Sequence, residues 1–111
     1  MSGKETAKTE ITAEHFPALR AFLRGYFHQD MKDEYGSLEE ATRQFCEDAD
    51  SIERKAVERE WQRFTERTRE QPLAVVNQLL TSKLGSACRF ASTEELQKIS
   101  DVFRNCHGGS A

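Results

Sequence analysis

The feature that most constrains the fold is the run of apolar and aromatic residues at positions 16–37. Its apolar side chains recur every three or four residues, which is the period of one face of an α-helix and not that of a strand. They are Phe16, Leu19, Phe22, Leu23, Tyr26 and Phe27. Pro17 suits the first turn of such a helix, because its missing N–H breaks no helical hydrogen bond there. The pattern predicts a helix over residues 13–31, followed by a turn at Tyr35-Gly36-Ser37.

Gly25 stands inside this predicted helix, where glycine costs about 1 kcal/mol relative to alanine. A glycine lets two backbones lie closer together than a side chain would permit. We therefore expect another helix to approach the backbone at Gly25.

The other apolar residues follow the same helical period in four further segments. A second helix over residues 38–48 begins with the capping-box sequence Ser37-Leu38-Glu39-Glu40, and a second capping box at Ser92 precedes the last helix. The third helix is long and heavily charged, and Pro72 opens a fourth that ends near Gly85. The residues expected to face inward are Leu38, Ala41, Phe45 and Cys46; Ile52, Ala56, Val57, Trp61, Phe64 and Thr68; Leu73, Val76, Leu79, Leu80 and Leu84; Phe90; and Leu96, Ile99, Val102, Phe103 and Cys106.

These helices and the short connections between them define the expected architecture. The chain is predicted to be all-α, a single compact domain of about five antiparallel-packed helices, since 111 residues have the size of one domain. The third helix is placed at residues 51–69 and the last at 94–106. The helical domain is expected over residues 13–106, between flexible tails at 1–12 and 107–111.

The cysteines and the chain start indicate a cytoplasmic protein. Cys46, Cys88 and Cys106 are odd in number and widely spaced, which predicts buried reduced thiols and no disulfide. The chain has no run of eighteen apolar residues, and its first twelve residues lack the apolar region of a secretion signal.

No motif for catalysis, cofactor binding or metal binding is found, and the chain is predicted not to be an enzyme. His28 and Asp30 resemble a base beside a carboxylate, but residues two apart point in different directions on a helix. A hydrogen-bonding role at a helix end is the better interpretation of His28. Cys106-His107 lacks a second ligand pair at a metal-binding spacing.

Direct nucleic-acid binding is not expected either. The basic residues of the third helix are interleaved with Glu58, Glu60, Glu66 and Glu70, so they form no concentrated basic face. These basic residues are Arg54, Lys55, Arg59, Arg63, Arg67 and Arg69.

Negative charge is concentrated in one part of the chain. Residues 30–53 contain nine acidic and two basic residues, a net charge of −7 in a chain whose total is −3. Such a segment can steer the approach of a basic partner, or it can be a solvated face that keeps the protein soluble. The residues alone leave both interpretations open.

The first helix also carries a resemblance to a known family. The string Phe16-Pro17-x-Leu19-x-x-Phe22-Leu23-x-Gly25-Tyr26-Phe27-His28-Gln29-Asp30, then Glu34-Tyr35-Gly36-Ser37, resembles the opening of small helical immunity proteins of bacterial contact-dependent growth inhibition systems. The similarity is close here, looser over the acidic helix, and limited to outline in the last third of the chain. It implies a cytoplasmic antitoxin that binds the toxin domain of a cognate effector, often a nuclease, and blocks it sterically.

The resemblance and the acidic segment together suggest where the toxin binds. The expected contact set is Asp33, Glu34, Tyr35, Glu39, Glu40, Arg43, Glu47 and Asp48. The expected partner is the toxin domain alone, with no membrane contact, and the free protein is expected to be a monomer or weak dimer. The alternative is a helical adaptor or regulatory module that binds another cellular protein.

Overall fold

The computed structural model describes residues 11–106, which form a helical domain. Six α-helices and no strand are found in that range: α1 Pro17–Tyr26, α2 Met31–Tyr35, α3 Leu38–Asp48, α4 Ser51–Arg67, α5 Leu73–Gln78 and α6 Thr93–Arg104. A π-helical segment, Leu79–Lys83, continues directly from α5. The predicted all-α fold is confirmed. The predicted tails lie outside the described residues except for positions 11 and 12, and Ile11 is buried in the core.

Three helices begin where the sequence supplies a capping side chain. Ser37, Asp50 and Ser92 each accept a hydrogen bond from the backbone N–H three residues later, at 3.1, 2.8 and 3.2 Å. These bonds satisfy N–H groups that have no partner inside the helix. As a result, the predicted second, third and last helices match α3, α4 and α6 to within two residues at each end.

The sequence predicts one helix over residues 13–31, but α1 ends at Tyr26, and a separate short helix, α2, begins at Met31. In a continuing helix the C=O of Phe27 would accept from the N–H of Met31. Instead it accepts a hydrogen bond from the N–H of Ala87 at 2.9 Å, and Met31 donates to the C=O of His28 at 2.9 Å. The prediction of a single helix is wrong because the bond that ends α1 comes from a distant part of the chain.

The core lies between α1, α3, α4 and α6. Phe22 of α1 is at its centre, with its ring centroid 4.9 Å from that of Phe45 in α3 and 5.4 Å from that of Phe103 in α6. Trp61 of α4 is fully buried and donates its indole N–H to the hydroxyl of Ser100 in α6 at 2.8 Å. The two helices that meet at Trp61 are therefore joined by a polar contact as well as by packing.

Two expectations about buried positions are wrong. Ile52, predicted to face inward, is 80% exposed, because it lies in the first turn of α4, ahead of Val57, the first buried residue of that helix. Gly25, predicted to permit a close helix–helix approach, is exposed, and a Cβ placed there would have no neighbour within 4 Å. No close backbone contact explains this glycine.

Replacing Gly25 with alanine is expected to raise the free energy of unfolding by about 0.5–1 kcal/mol, because alanine lowers the conformational entropy of the unfolded chain and fits the open site. Urea denaturation at 25 °C measures the change. The matched control is Gly36→Ala, at a glycine that is also unobstructed but has φ of +95°. That substitution should cost about 1 kcal/mol or more. A loss of stability in Gly25→Ala would show that the site is not open.

The prediction of three reduced cysteines is also wrong. Cys46 at the end of α3 and Cys106 beyond α6 form a disulfide, with their Cα atoms 5.4 Å apart. The packing of α3 against α6 brings the two residues together although 60 positions separate them in the sequence. Cys88 is a free thiol that donates to the C=O of His28 at 3.4 Å, and burial raises the pKa of this thiol.

Candidate functional site

The acidic residues of α2 and α3 form one candidate site, which we call the acidic surface: Asp33, Glu34, Glu39, Glu40, Glu47 and Asp48. The apolar side chains Leu38, Ala41 and Phe45 face the core from α3. The helical period therefore leaves the charged positions of α3 on its outer face. Gly36 joins the two helices with φ of +95°, a conformation that glycine adopts without strain.

Arg43 compensates part of this negative charge. Its guanidinium donates to Glu39 at 2.6 Å and to Glu40 at 2.7 Å. The pairs are exposed and lie one turn apart on α3, so each stabilises the helix by a few tenths of a kcal/mol at most. A basic partner could replace Arg43 at these carboxylates at little cost.

Asp48 is held at the end of α3 by two hydrogen bonds. The hydroxyl of Tyr26 donates to Asp48 Oδ2 at 2.9 Å, and the amide of Gln44 donates to Oδ1 at 2.9 Å. Burial and then the hydrogen bond to Asp48 raise the pKa of Tyr26 well above its usual value. Tyr26 therefore stays protonated and remains a donor to this carboxylate.

His28 lies between α1 and α2 and fixes the position of Glu34. Its Nδ1 accepts a hydrogen bond from the backbone N–H of Asp30 at 3.1 Å, and its Nε2 lies 2.7 Å from Glu34 Oε1. The side chain of Asp30 does not pair with the imidazole, and the carboxylate beside His28 is that of Glu34. The predicted hydrogen-bonding role of His28 at a helix end is confirmed.

Tyr35, at the end of α2, extends the aromatic core to the surface. Its ring stacks on Tyr26 with centroids 5.7 Å apart, and Tyr26 stacks on the buried Phe22 at 5.7 Å. Tyr35 is half-buried. An aromatic side chain supported in this way can contact a partner without losing much conformational freedom.

The structure brings the residues of the predicted contact set together in two groups. Glu34 and Tyr35 lie near His28, whereas the charged residues of α3 lie on the outer face of that helix. Tyr26 contacts both groups, because its ring stacks on Tyr35 and its hydroxyl donates to Asp48. Asp33 and Glu47 make no side-chain hydrogen bond or ion pair with another described residue. The sequence did not indicate the roles of Tyr26 and Gln44, since Tyr26 fits the apolar stripe of α1 and Gln44 belongs to no motif.

A groove of about 680 Å³ between α4 and α6 is the second candidate site. The buried rings of Trp61, Phe64 and Phe103 and the half-buried Leu73 and Leu96 line it. We call it the basic groove, because its charged lining residues are Arg59, Arg63, Arg67, Arg69 and Arg104 against Glu58 and Glu66. No residue of α2 or α3 lines it, so it is separate from the acidic surface.

The described residues contain no group of three or more His, Cys, Asp or Glu side chains arranged to hold a metal ion. Across residues 11–106, no helix combines the length and apolar character needed to cross a membrane.

The acidic surface and the basic groove are suited to binding a macromolecule, since exposed charges steer association and set its specificity. The molecule is thus a small helical protein with two oppositely charged candidate binding surfaces.

Comparison with known families identifies the chain more closely. The sequence profile of the family described as CdiI immunity protein matches residues 15–94. Because the match covers more than half of the chain, the protein belongs to the CdiI immunity protein family, and it is a toxin-neutralising immunity protein. Searches of curated proteins and of solved structures give no significant match. The matched region contains α1 to α5 and ends in the first turn of α6.

Proposed function

We propose that this protein acts in the cytoplasm, where it binds the toxin domain of one contact-dependent growth inhibition effector and blocks it sterically. The toxin is a nuclease, and inhibition requires neither catalysis nor a cofactor. The observation that carries the proposal is the acidic segment at residues 30–53, with a net charge of −7 on a family member whose total charge is −3. Nuclease clefts are basic because they bind phosphates, so an acidic surface complements them.

The proposed contact set consists of Asp33, Glu34, Tyr35, Glu39, Glu40, Arg43, Glu47 and Asp48. Asp33 and Glu47 would meet basic side chains directly, since neither is engaged by another described residue. Tyr35 would serve as the aromatic anchor, because interface hot spots favour tyrosine. An interface of about 1,600 Å² in total is normal for a stable complex.

Toxin rescue tests the function as a whole. We expect the neighbouring gene to encode a large surface protein; the C-terminal domain of that protein is expressed in cells with and without this chain, and growth is followed. We expect growth arrest that this chain relieves, and we expect the two proteins to purify together. If growth is not restored and no complex forms, the immunity function toward that toxin is rejected and a helical adaptor becomes the better explanation.

Reversal of charge at Asp33 and Glu47 tests the role of the acidic surface. We expect Asp33→Lys/Glu47→Lys to slow association with the toxin by about tenfold or more at low salt, because electrostatic steering is lost. The difference from the wild type should shrink as salt is added, since salt screens exposed charges. Stopped-flow or surface plasmon resonance kinetics at several salt concentrations give the rates.

The matched control is Glu14→Lys/Glu70→Lys. Both residues are exposed and lie outside the acidic surface, and the change in net charge is the same. This control should associate at nearly the wild-type rate. Equal slowing in both variants would mean that only the total charge matters, and the proposed interface would then be wrong.

A further inference from the structure

We propose that the basic groove binds an acidic amphipathic segment of the same toxin-bearing protein, as a second contact distinct from the acidic surface. This inference rests on the proposed function. Its starting point is a surface whose charge is opposite to that of the chain as a whole, with five arginines and two glutamates among the lining residues.

The arginines of α4 are arranged unfavourably for the isolated helix. Arg59, Arg63 and Arg67 are successive i,i+4 neighbours, and like charges at this spacing destabilise a helix. Arg63 is engaged within the fold, since it donates to the C=O of His15 at 2.7 Å and lies 4.7 Å from the ring centroid of Phe16. Arg59 and Arg67 form no ion pair with another described residue, and Arg67 lies 6.0 Å from the same ring centroid of Phe16. Carboxylates of a partner would relieve this repulsion.

Two more arginines of the groove are only loosely engaged. Arg69 lies 3.7 Å from Glu66 and is 72% exposed, and Arg104 lies 3.3 Å from Asp101 and is 68% exposed. Exposed pairs of this kind contribute little stability, so most of their guanidinium donors remain available. Guanidinium groups bind carboxylates in a bidentate manner, which favours a carboxylate-bearing occupant.

The apolar lining adds a second requirement for the occupant. Leu73 and Leu96 are half-buried and line the groove together with the buried ring of Phe103. A segment that meets both features has apolar side chains on one face and acidic side chains beside them. An amphipathic helix in a groove between two helices satisfies this description.

Residues 1–10 and 107–111 do not have the composition of such a segment. Residues 1–10 contain two lysines and two glutamates and have only Met1 as a large apolar residue, and residues 107–111 contain no acid. A second copy could present the acidic surface, but the apolar face of α3 is already buried in its own core. We therefore assign the occupant to another protein.

The size of the acidic surface points to the toxin-bearing protein as that partner. The eleven residues of α3 form a helix about 16 Å long and about 10 Å wide, which presents much less area than the roughly 800 Å² that a stable interface covers on each partner. Contact with α3 must therefore spread to neighbouring surface, and α6, which packs directly on α3, carries Leu96 and Arg104 of the groove. Both residues lie beyond residues 15–94, the part of the chain that the family profile matches.

The test is the double variant Arg59→Glu/Arg67→Glu in the full chain, with toxin affinity and dissociation rate as the readouts. We expect affinity to fall about tenfold or more, mainly through faster dissociation, because like charges would face each other across the groove. The fold should be retained, since each substitution converts like-charge i,i+4 pairs into favourable ones. Thermal unfolding checks this.

The matched control is Lys55→Glu/Lys98→Glu, which makes the same change in net charge on the same two-helix region at exposed positions that do not line the groove. Retained affinity in the groove variant, or an equal loss in the control, overturns the inference about the groove. Failure of the wild-type chain to bind the toxin is a different result, because it rejects the proposed function itself.

Discussion

Phe22→Ala is expected to lower the free energy of unfolding by about 3–5 kcal/mol, which is a large part of the stability of a domain this size. Phe22 is 2% exposed, and its ring contacts Tyr26, Phe27, Phe45 and Phe103 with centroid distances of 4.9 to 5.7 Å. These partners belong to α1, α3 and α6 or to the turn after α1. Removing the ring would leave a cavity that several elements share, and no single one of them can collapse into it.

Urea denaturation followed by circular dichroism measures this loss. Phe22→Leu is the control, because it keeps most of the apolar volume and should cost much less than the alanine variant. The substitution should also loosen the contacts that position Asp48 and Tyr35 at the acidic surface. Phe22 packs against Tyr26, which donates to Asp48 and stacks on Tyr35. A cost below about 1 kcal/mol for Phe22→Ala would contradict the central role of this ring.

The helices could be predicted from the sequence because their causes are local. The three- and four-residue spacing of apolar side chains and the caps at Ser37 and Ser92 involve neighbours within one turn or two. The division of the first helix could not be predicted in this way. It depends on the hydrogen bond between Phe27 and Ala87, and no pattern around residue 27 contains the N–H of residue 87.

The same distinction between local and distant causes applies to the two candidate sites. The acidic surface could be recognised because its residues are close together in the sequence and share the outer face of one helix. The basic groove could not, since it forms only when Leu96 and Arg104 of α6 come to lie beside Arg59 and Arg67 of α4. In the sequence those arginines alternate with four glutamates, whereas in the structure only two of the four, Glu58 and Glu66, line the groove. Glu60, for example, accepts from the N–H of Leu19 at 2.8 Å.

Loss of the Cys46–Cys106 disulfide is expected to lower the free energy of unfolding by about 2–4 kcal/mol. The bond joins residues 60 positions apart, so it restricts a large part of the unfolded chain. Urea denaturation with and without a thiol reductant measures the effect. Thiol titration of the unfolded protein should find one free cysteine without reductant and three with it.

The double variant Cys46→Ala/Cys106→Ala should match the reduced protein in stability and should not respond to reductant. Cys88→Ala, which leaves the bond intact, is the control and should respond as the wild type does. Three free thiols in protein purified under oxidising conditions would show that the bond does not form. The bond matters for the proposed function because cytoplasmic thiols are normally kept reduced.

Reduction should affect stability more than it affects toxin binding. Cys46 lies in the last turn of α3, directly before Glu47 and Asp48, so the bond supports that end of the acidic surface. Phe45 also packs on Phe22 and Phe103, and Tyr26 donates to Asp48; none of these contacts involves the cysteine sulfur atoms. We therefore expect the reduced protein to bind the toxin with nearly unchanged affinity while it unfolds at a lower urea concentration.

Bound toxin would then offset the lost stability, because a ligand that binds only the folded state stabilises it. A large loss of affinity on reduction would instead show that the disulfide positions the acidic surface for binding.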